Sequence, residues 1–403
     1  MPEAVIVAAT RTPIGRANKG SLVACRPDDL SADVVKAALA RVPALDPAEV
    51  EDVLWGCGQP AGESGYNVAR VVTLLAGLPQ APGVTVNRYC SSSLQTIRMA
   101  AHAIKAGEGH AFVAGGVETV SRFIKGMSDG LPDTHNPVFA DAEARTKARG
   151  AGGQPPWTPE PGLADVYVAM GQTAENVAEK EHVTREEMDE FALLSQTRAV
   201  ASQENGFFER EIIPVTLSDG SVVTKDDGPR PNTTLEGLAN LKPVFREGGT
   251  VTAGNACPLN DGAAAVVVMS DTRAKALGIT PLARIVASGV TGLNPEIMGL
   301  GPVEACRQVL QRANMTMDEI DLVEINEAFA AQVIPSARHL GISWDKLNVK
   351  GGAIALGHPF GQTGARIMTT LLNALEDTDK TIGLESMCVG GGQGMAMIVE
   401  RLS

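Results

Sequence analysis

Aromatic residues are scarce, at 4% of 403 positions. A large core must therefore be built from Ala, Val, Leu and Ile, which suits close packing of helices on sheets. Positive charge is also short: 34 Lys and Arg stand against 47 Asp and Glu, a formal net charge of -13. That balance argues against a general nucleic-acid or anionic-membrane surface, because phosphate binding draws on clustered basic residues. An anionic ligand would need a local basic pocket.

The six cysteines, Cys25, Cys57, Cys90, Cys257, Cys306 and Cys388, show no CxxC spacing. Neither a zinc site nor a disulfide framework is indicated, and reduced thiols in a cytoplasmic protein are expected, with no metal. The start, Met1 to Val7, lacks the basic region and apolar run of a signal peptide, and no later run approaches the roughly 20 apolar residues of a membrane span, so no membrane insertion is expected. The end, Arg401-Leu402-Ser403, is not a clear peroxisomal address.

What is present fits a folded protein of two or three lobes: 44% hydrophobic and 20% charged residues over more than one domain length. Short β-rich runs (Ala4 to Ala8, Val53 to Trp55, Val84 to Val86, Ala111 to Ala114) alternate with amphipathic stretches such as Leu30 to Arg41 and Ser93 to Ala106. This rhythm predicts an α/β protein with mostly parallel strands. From about Ser121 to Gly249 the rhythm breaks into Pro, Gly and charged residues around one helix, Thr173 to about Ala201; Ala263 to Met269 then resumes a buried strand. The middle reads as a long excursion from the first lobe. Glu49 to Gly56 and Glu319 to Asn326 both place acidic residues before an apolar strand, and about 35 residues on each copy reaches a reactive residue, Cys90 or His358. Two similar lobes with their chemistry facing inward would explain that repeat.

Cys90 stands before Ser91 to Ala106, so a helix amino terminus and a histidine base could turn it into a thiolate of lowered pKa. Cys25, Cys57 and Cys306 lack such a context and read as inert small residues. His358 alone among six histidines sits in a glycine-rich turn, where backbone can approach a ligand closely; His102, His110, His135, His182 and His339 read as solvated or capping. Cys388 follows the predicted strand Thr381 to Glu385, and the glycines after it could offer N–H groups to an anion. That cluster lacks GxGxxG spacing and a following Lys-Ser/Thr, so a nucleotide loop is a poor reading. Asn326, after another predicted strand, could serve an oxyanion or cap the helix that starts at Glu327-Ala328-Phe329.

Together, Val86 to Gln95, Asn326 to Phe329, Gly351 to Gly364 and Met387 to Gly394, with the opening Val5 to Gly15, resemble the signature blocks of the thiolase family in order and over nearly the whole chain. The resemblance implies two duplicated βαβαβαββ halves in a layered α/β/α/β/α core, residues 1–120 plus 251–278 forming the half with Cys90 and 279–403 the half with Asn326, His358 and Cys388. Residues 121–250 would be an inserted loop domain that binds coenzyme A. It also implies roles. Cys90 would be the acylated nucleophile, His358 its activator and Cys388 the acid/base at the α-carbon. Asn326 would hold a water for one oxyanion hole, shared with His358, and the N–H groups of Cys90 and Gly390 would form the other. For coenzyme A, a substrate and not a bound cofactor, the family pattern points to Arg230, Phe245, Ala253, Gly254, Cys257, Met170, Ala328 and Phe329. Two positions depart from it: Cys257 stands where serine is usual, and Ala169 where short-chain biosynthetic members have histidine.

The expected reaction is thiolytic cleavage of a 3-oxoacyl-CoA to acetyl-CoA and a shortened acyl-CoA through acyl-Cys90, as in β-oxidation of fatty acids, by a homodimer or homotetramer. Alternatives are the reverse condensation by an acetyl-CoA acetyltransferase and a non-catalytic acyl-CoA- or lipid-binding relative. A decarboxylating β-ketoacyl synthase would more naturally carry a second His or an Asn where Asn326 and Cys388 combine here.

Overall fold

The computed structural model describes residues 2–125 and 131–403, so Met1 and the part of the excursion at 126–130 lie outside it. Its strands are β1 (Ala4–Arg11), β2 (Gly15–Arg16), β3 (Asp52–Gly56), β4 (Gly83–Val86), β5 (Ala111–Thr119), β6 (Val215–Thr216), β7 (Val222–Val223), β8 (Asn260–Ser270), β9 (Ala283–Gly292), β10 (Leu322–Ile325), β11 (Ile382–Val389) and β12 (Gln393–Arg401). The helices are α1 (Pro27–Ala40), α2 (Val68–Leu75), α3 (Ser92–Ala106), α4 (Ala140–Gly150), α5 (Met170–Lys180), α6 (Arg185–Glu204), α7 (Leu235–Ala239), α8 (Asp271–Ala276), α9 (Gly301–Ala313), α10 (Ala330–Leu340), α11 (Ala353–Leu356) and α12 (Thr363–Asp377). Between them run single turns of tighter helix, including Tyr89–Ser91.

One sheet carries the fold, in the order β10-β11-β12-β9-β1-β8-β5-β3-β4. The duplication is visible in its pairing. In the first half β3 lies parallel to β4 and β5, β5 antiparallel to β8, and β8 antiparallel to β1. In the second, β10 is parallel to β11 and bridges in parallel to Leu347, β11 is antiparallel to β12, and β12 to β9. Leu347 thus stands where β4 stands in the first half, and β10 where β3 stands. The halves join through a short antiparallel contact of Val5 and Ile6 with Arg284 and Ala283. Mostly parallel pairing is therefore not what forms: β8 returns from the excursion between β1 and β5 and runs against both. Its eleven residues are all buried.

Buried side chains fall into three cores. Helices α1 and α2 cover one face of the first half, and α9 and α10 one face of the second. Between the halves lie α3 and α12, whose Leu94, Ile97, Ile367 and Leu371 share the central core with residues of both sheet halves. A side chain at Gly364 of α12 would run into the backbone of Leu94 in α3, so the two helices cross at van der Waals contact only because that position has no Cβ. These layers give α/β/α/β/α. Each half's reactive turn opens one of the two central helices, so both turns face the same seam.

The single helix expected over 173–201 is two. His182 takes a left-handed φ of 53°, which no helix interior accommodates. Thr184 then starts α6 with a capping box, its hydroxyl accepting from Glu187 N–H while Glu187 accepts from the Thr184 N–H. The excursion is tied to the sheet by Arg11 of β1, fully buried, which pairs in bidentate fashion with Asp226 and lies 3.4 Å from Glu211.

Candidate active site

Cys90 is presented by a strained elbow. Beyond β4, Tyr89 takes a φ of 43°, a left-handed conformation that costs a non-glycine residue on the order of 1 kcal/mol. Polar side chains hold it there. Asn87 Oδ1 accepts from the Tyr89 N–H at 2.8 Å, and Ser92 Oγ accepts from Arg88 N–H at 2.9 Å while donating to the Tyr89 carbonyl at 2.7 Å. The Cys90 side chain is buried, and burial pushes its thiol up to about 11, partly offset by the N–H groups of Gly390 and of Cys90 itself. The lowered pKa expected from the helix end is not found, because desolvation outweighs those two donors.

His358 is buried below Gly357, whose φ of 114° permits the turn. Its backbone N–H donates to Asn260 Oδ1 at 3.0 Å. Thr363 Oγ1 gives its only proton to the Pro359 carbonyl at 2.7 Å, so at 2.6 Å it accepts from Nδ1–H of His358. That leaves the lone pair on Nε2, and Asn326 Nδ2 donates to it at 3.2 Å. Burial first, and then the nearby Arg366 charge, push His358 down to about 3. The ring is neutral, with its basic nitrogen defined.

Asn326 does not cap a helix; α10 begins at Ala330, after Phe329. Its carbonyl oxygen accepts from Gln332 Nε2, and its Oδ1 has no partner among the described residues. Cys388 lies inside β11, not beyond it, because the strand runs on to Val389 before the glycines turn. Burial raises its thiol well above the ordinary value, and the neighbouring Cys90 and Cys257 sulfurs add to the effect. Three thiols therefore share one apolar region.

Two carboxylates missed in the sequence hold the loops. Glu118, at the end of β5, accepts from the N–H groups of Gly58 (2.8 Å), Gln59 (3.1 Å) and Gly361 (2.9 Å). It thereby joins the loop after β3 to the loop carrying His358, and burial still lifts it to about 7. Glu327 accepts from Ser195 Oγ, Asn348 Nδ2 and the Ile354 N–H, bracing the chain that leads to His358. A buried Glu inside a β-rich run, as at Gly115-Gly116-Val117-Glu118, is the signal that could have marked the first.

A cavity of about 370 Å³ opens onto Cys90. Gly390 and Met170 line it, as do Gln59, Phe360, Tyr167 and His135, the last read from sequence as a surface residue. Other residues expected to hold coenzyme A group beside it. Cys257 N–H donates to the Ala328 carbonyl at 3.0 Å, Ala256 bridges to Phe329, and Phe329 meets Phe245 edge-on at 5.9 Å. Ala253 and Gly254 precede that contact, Ala253 exposed and the Gly254 N–H on Thr252 Oγ1 at 3.1 Å. Arg230 stands apart, exposed, its N–H on Gln196 Oε1 and its charge facing that of Arg16. Ala169 is exposed at the start of α5, next to Met170.

Residues 4–272 match the family described as "Thiolase, N-terminal domain" and residues 279–401 "Thiolase, C-terminal domain". The chain is 46% identical to a beta-ketoadipyl-CoA thiolase of Acinetobacter baylyi over 414 aligned residues, with all of both chains covered. It is 44% identical over 411 residues to a 3-ketoacyl-CoA thiolase of Aeromonas hydrophila, again with full coverage of both. Among solved structures, an acetyl-CoA acetyltransferase of Bacillus anthracis superposes with a TM-score of 0.86 at 39% identity, over 100% of this chain and 99% of that one.

Proposed function

The chain belongs to the thiolase family, an enzyme transferring acyl groups to and from coenzyme A, and from that premise we propose the part each residue plays in thiolysis of a 3-oxoacyl-CoA. His358 Nε2 takes the proton of Cys90 as the sulfur attacks the 3-keto carbon. Neither group needs to be charged at rest, which is consistent with a thiol pushed up to about 11 beside a ring pushed down to about 3. The developing oxyanion is held by Asn326 Nδ2 with His358, or by the N–H groups of Cys90 and Gly390. The C2–C3 bond then breaks, Cys388 protonates the acetyl-CoA enolate at C2, and free coenzyme A displaces the acyl group from Cys90. The observation that carries this reading is the Gly390 N–H reaching the Cys90 sulfur while Asn326 meets His358. In this reading four segments far apart in sequence supply the nucleophile, the base, the oxyanion donors and the carbon acid, supported by the Gly390–Cys90, Cys388–Cys90 and Asn326–His358 neighbourhoods.

Cleavage, as opposed to condensation, is the direction we favour, with β-oxidation as the setting, because Ala169, exposed where α5 begins, puts no bulky polar group beside the cavity-lining Met170. We also read the chain as halves 1–120 plus 251–278 and 279–403 around an inserted loop domain 121–250. A reducing, cytoplasmic location accords with six unpaired cysteines, and no helix among the described residues is long and apolar enough to cross a membrane.

Cys388→Ala tests the division of labour. Acylation of Cys90 by a simple acyl-CoA needs no carbon acid, so intact-mass measurement should show the acyl-enzyme while thiolysis falls by several orders of magnitude. Thiolysis by the variant at the wild-type rate would remove Cys388 from the mechanism.

A further inference from the structure

The wall of the Cys90 cavity supplied by the loop excursion is of two kinds. Val166, Val168 and Met170 are apolar, whereas His135 and Tyr167 bring polar atoms to the same space. The imidazole of His135 lies flat on the Tyr167 ring, 3.9 Å between centroids and 6° between planes. Its Nδ1 meets Glu143 Oε2 of α4 at 2.9 Å. Tyr167 is held in turn: its hydroxyl accepts from the Asn136 N–H at 3.1 Å, and Phe139 packs against it edge-on at 5.4 Å.

The orientation of the imidazole is thus set by a stacked face and one bonded nitrogen. The side chain stays 45% exposed at the cavity wall, and its other nitrogen, Nε2, has no protein partner among the described residues and is open to water or a ligand. With Glu143 opposite Nδ1, Nε2 can meet an oxygen either way: as an acceptor in the neutral ring, or as a donor when the ring carries its second proton. An unbranched alkyl chain ending in methyl would use the two valines and Met170 and leave this nitrogen unmatched. An acyl chain with an oxygen at its end would satisfy it.

We propose that His135, stacked on Tyr167 and oriented by Glu143, receives the far end of the acyl chain, and that the preferred substrates are 3-oxoacyl-CoAs whose acyl group ends in a hydroxyl or a carboxylate. This deepens the thiolysis reading and rests on it. His135 selects between substrates; it takes no part in bond breaking.

The test uses the full-length enzyme and three 3-oxoacyl-CoAs of one chain length, ending in methyl, hydroxyl and carboxylate, with kcat/KM measured for each. The wild type should favour at least one oxygen-ended chain by about tenfold, the discrimination that one hydrogen bond to a half-exposed group supplies. A preference for hydroxyl marks the ring as acceptor, and one for carboxylate marks it as donor. His135→Leu should bring that ratio near one, and His135→Gln should keep part of it by retaining a hydrogen-bonding end. Cleavage of the methyl-ended chain by each variant shows that it has folded. A wild type that prefers the methyl-ended chain, or a preference that survives in His135→Leu, would overturn the assignment of His135 alone. Failure to cleave any of the three would overturn the thiolysis reading, and this one with it.

Discussion

Cys90 and His358 are both buried, and burial accounts for both shifts, upward for the thiol and downward for the ring. A helix amino terminus beside a cysteine is commonly taken to make a standing thiolate. Here the N–H groups of Gly390 and Cys90 are too few to offset desolvation, and they are better placed to receive charge during reaction than at rest. The consequence is a pH profile. Alkylation of Cys90 by a small neutral reagent follows the thiolate fraction, so its rate should climb nearly tenfold per unit from about pH 7 to about pH 10 in the unliganded enzyme. Rates measured by peptide mapping that stay flat over this range would mean that a thiolate–imidazolium pair exists at rest.

Among the connecting elements, the loop after β3 and the turn opening α12 depend on a group outside themselves. Glu118 accepts three N–H groups from loops of opposite halves, and an amide there would direct its NH2 at one or more of those donors. Each buried donor left unmatched costs about 1–3 kcal/mol. Glu118→Gln should therefore lower kcat more than tenfold with a smaller change in KM, because it moves the loops that present His358 and line the cavity without removing a reacting group. Its pH dependence gives a second readout. With the folded value raised from 4.5 to about 7, the native state binds more protons than the unfolded chain between those limits, so wild-type stability falls as pH rises through that window. The variant should lack that slope in thermal melts. An unchanged kcat with an unchanged slope would make Glu118 incidental.

At the scale of the whole molecule, the two halves are alike in pairing and unlike at their edges. Leu347, at the edge of the second half, is buried, and Arg198 of α6 donates to its carbonyl. The corresponding edge of the first half, β4, pairs with no further strand among the described residues, though the Asn67 amide holds its Gly83 carbonyl and Thr85 N–H; Val84 37%, Leu74 54% and Leu75 42% are exposed on the strand and the neighbouring α2, and Tyr66 96% just before them. A terminal strand flanked by exposed apolar side chains favours burial against another chain. We propose that this edge forms the interface of a homodimer, from which a tetramer could be built. Val84→Lys should shift the enzyme to monomer in sedimentation velocity, and an unchanged mass would place the interface elsewhere.

Read alone, the chain was enough for the α/β class, the paired strands at Val53 and Val323, the turns that carry Cys90 and His358, and the family, because each rests on local spacing: apolar alternation, glycine punctuation and short motifs. The same local reading produced one helix where His182 and Thr184 make two, and ended the last-but-one strand before Cys388 instead of after it. Parallel or antiparallel placement of β8 could not be read either, since strand direction depends on how the excursion returns and not on the residues of the strand. Protonation was beyond local reading for the same reason: the shifts at Cys90, His358 and Glu118 come from burial, which depends on segments distant in sequence such as Gly390 beside Cys90 and Gly361 beside Glu118. His135 looked like any solvated histidine until the fold set it on Tyr167 in the wall of the Cys90 cavity. Residue types and spacings determined which family the chain belongs to; the closing of two halves over one seam decided which groups are buried, which way their protonation shifts, and which loops are braced.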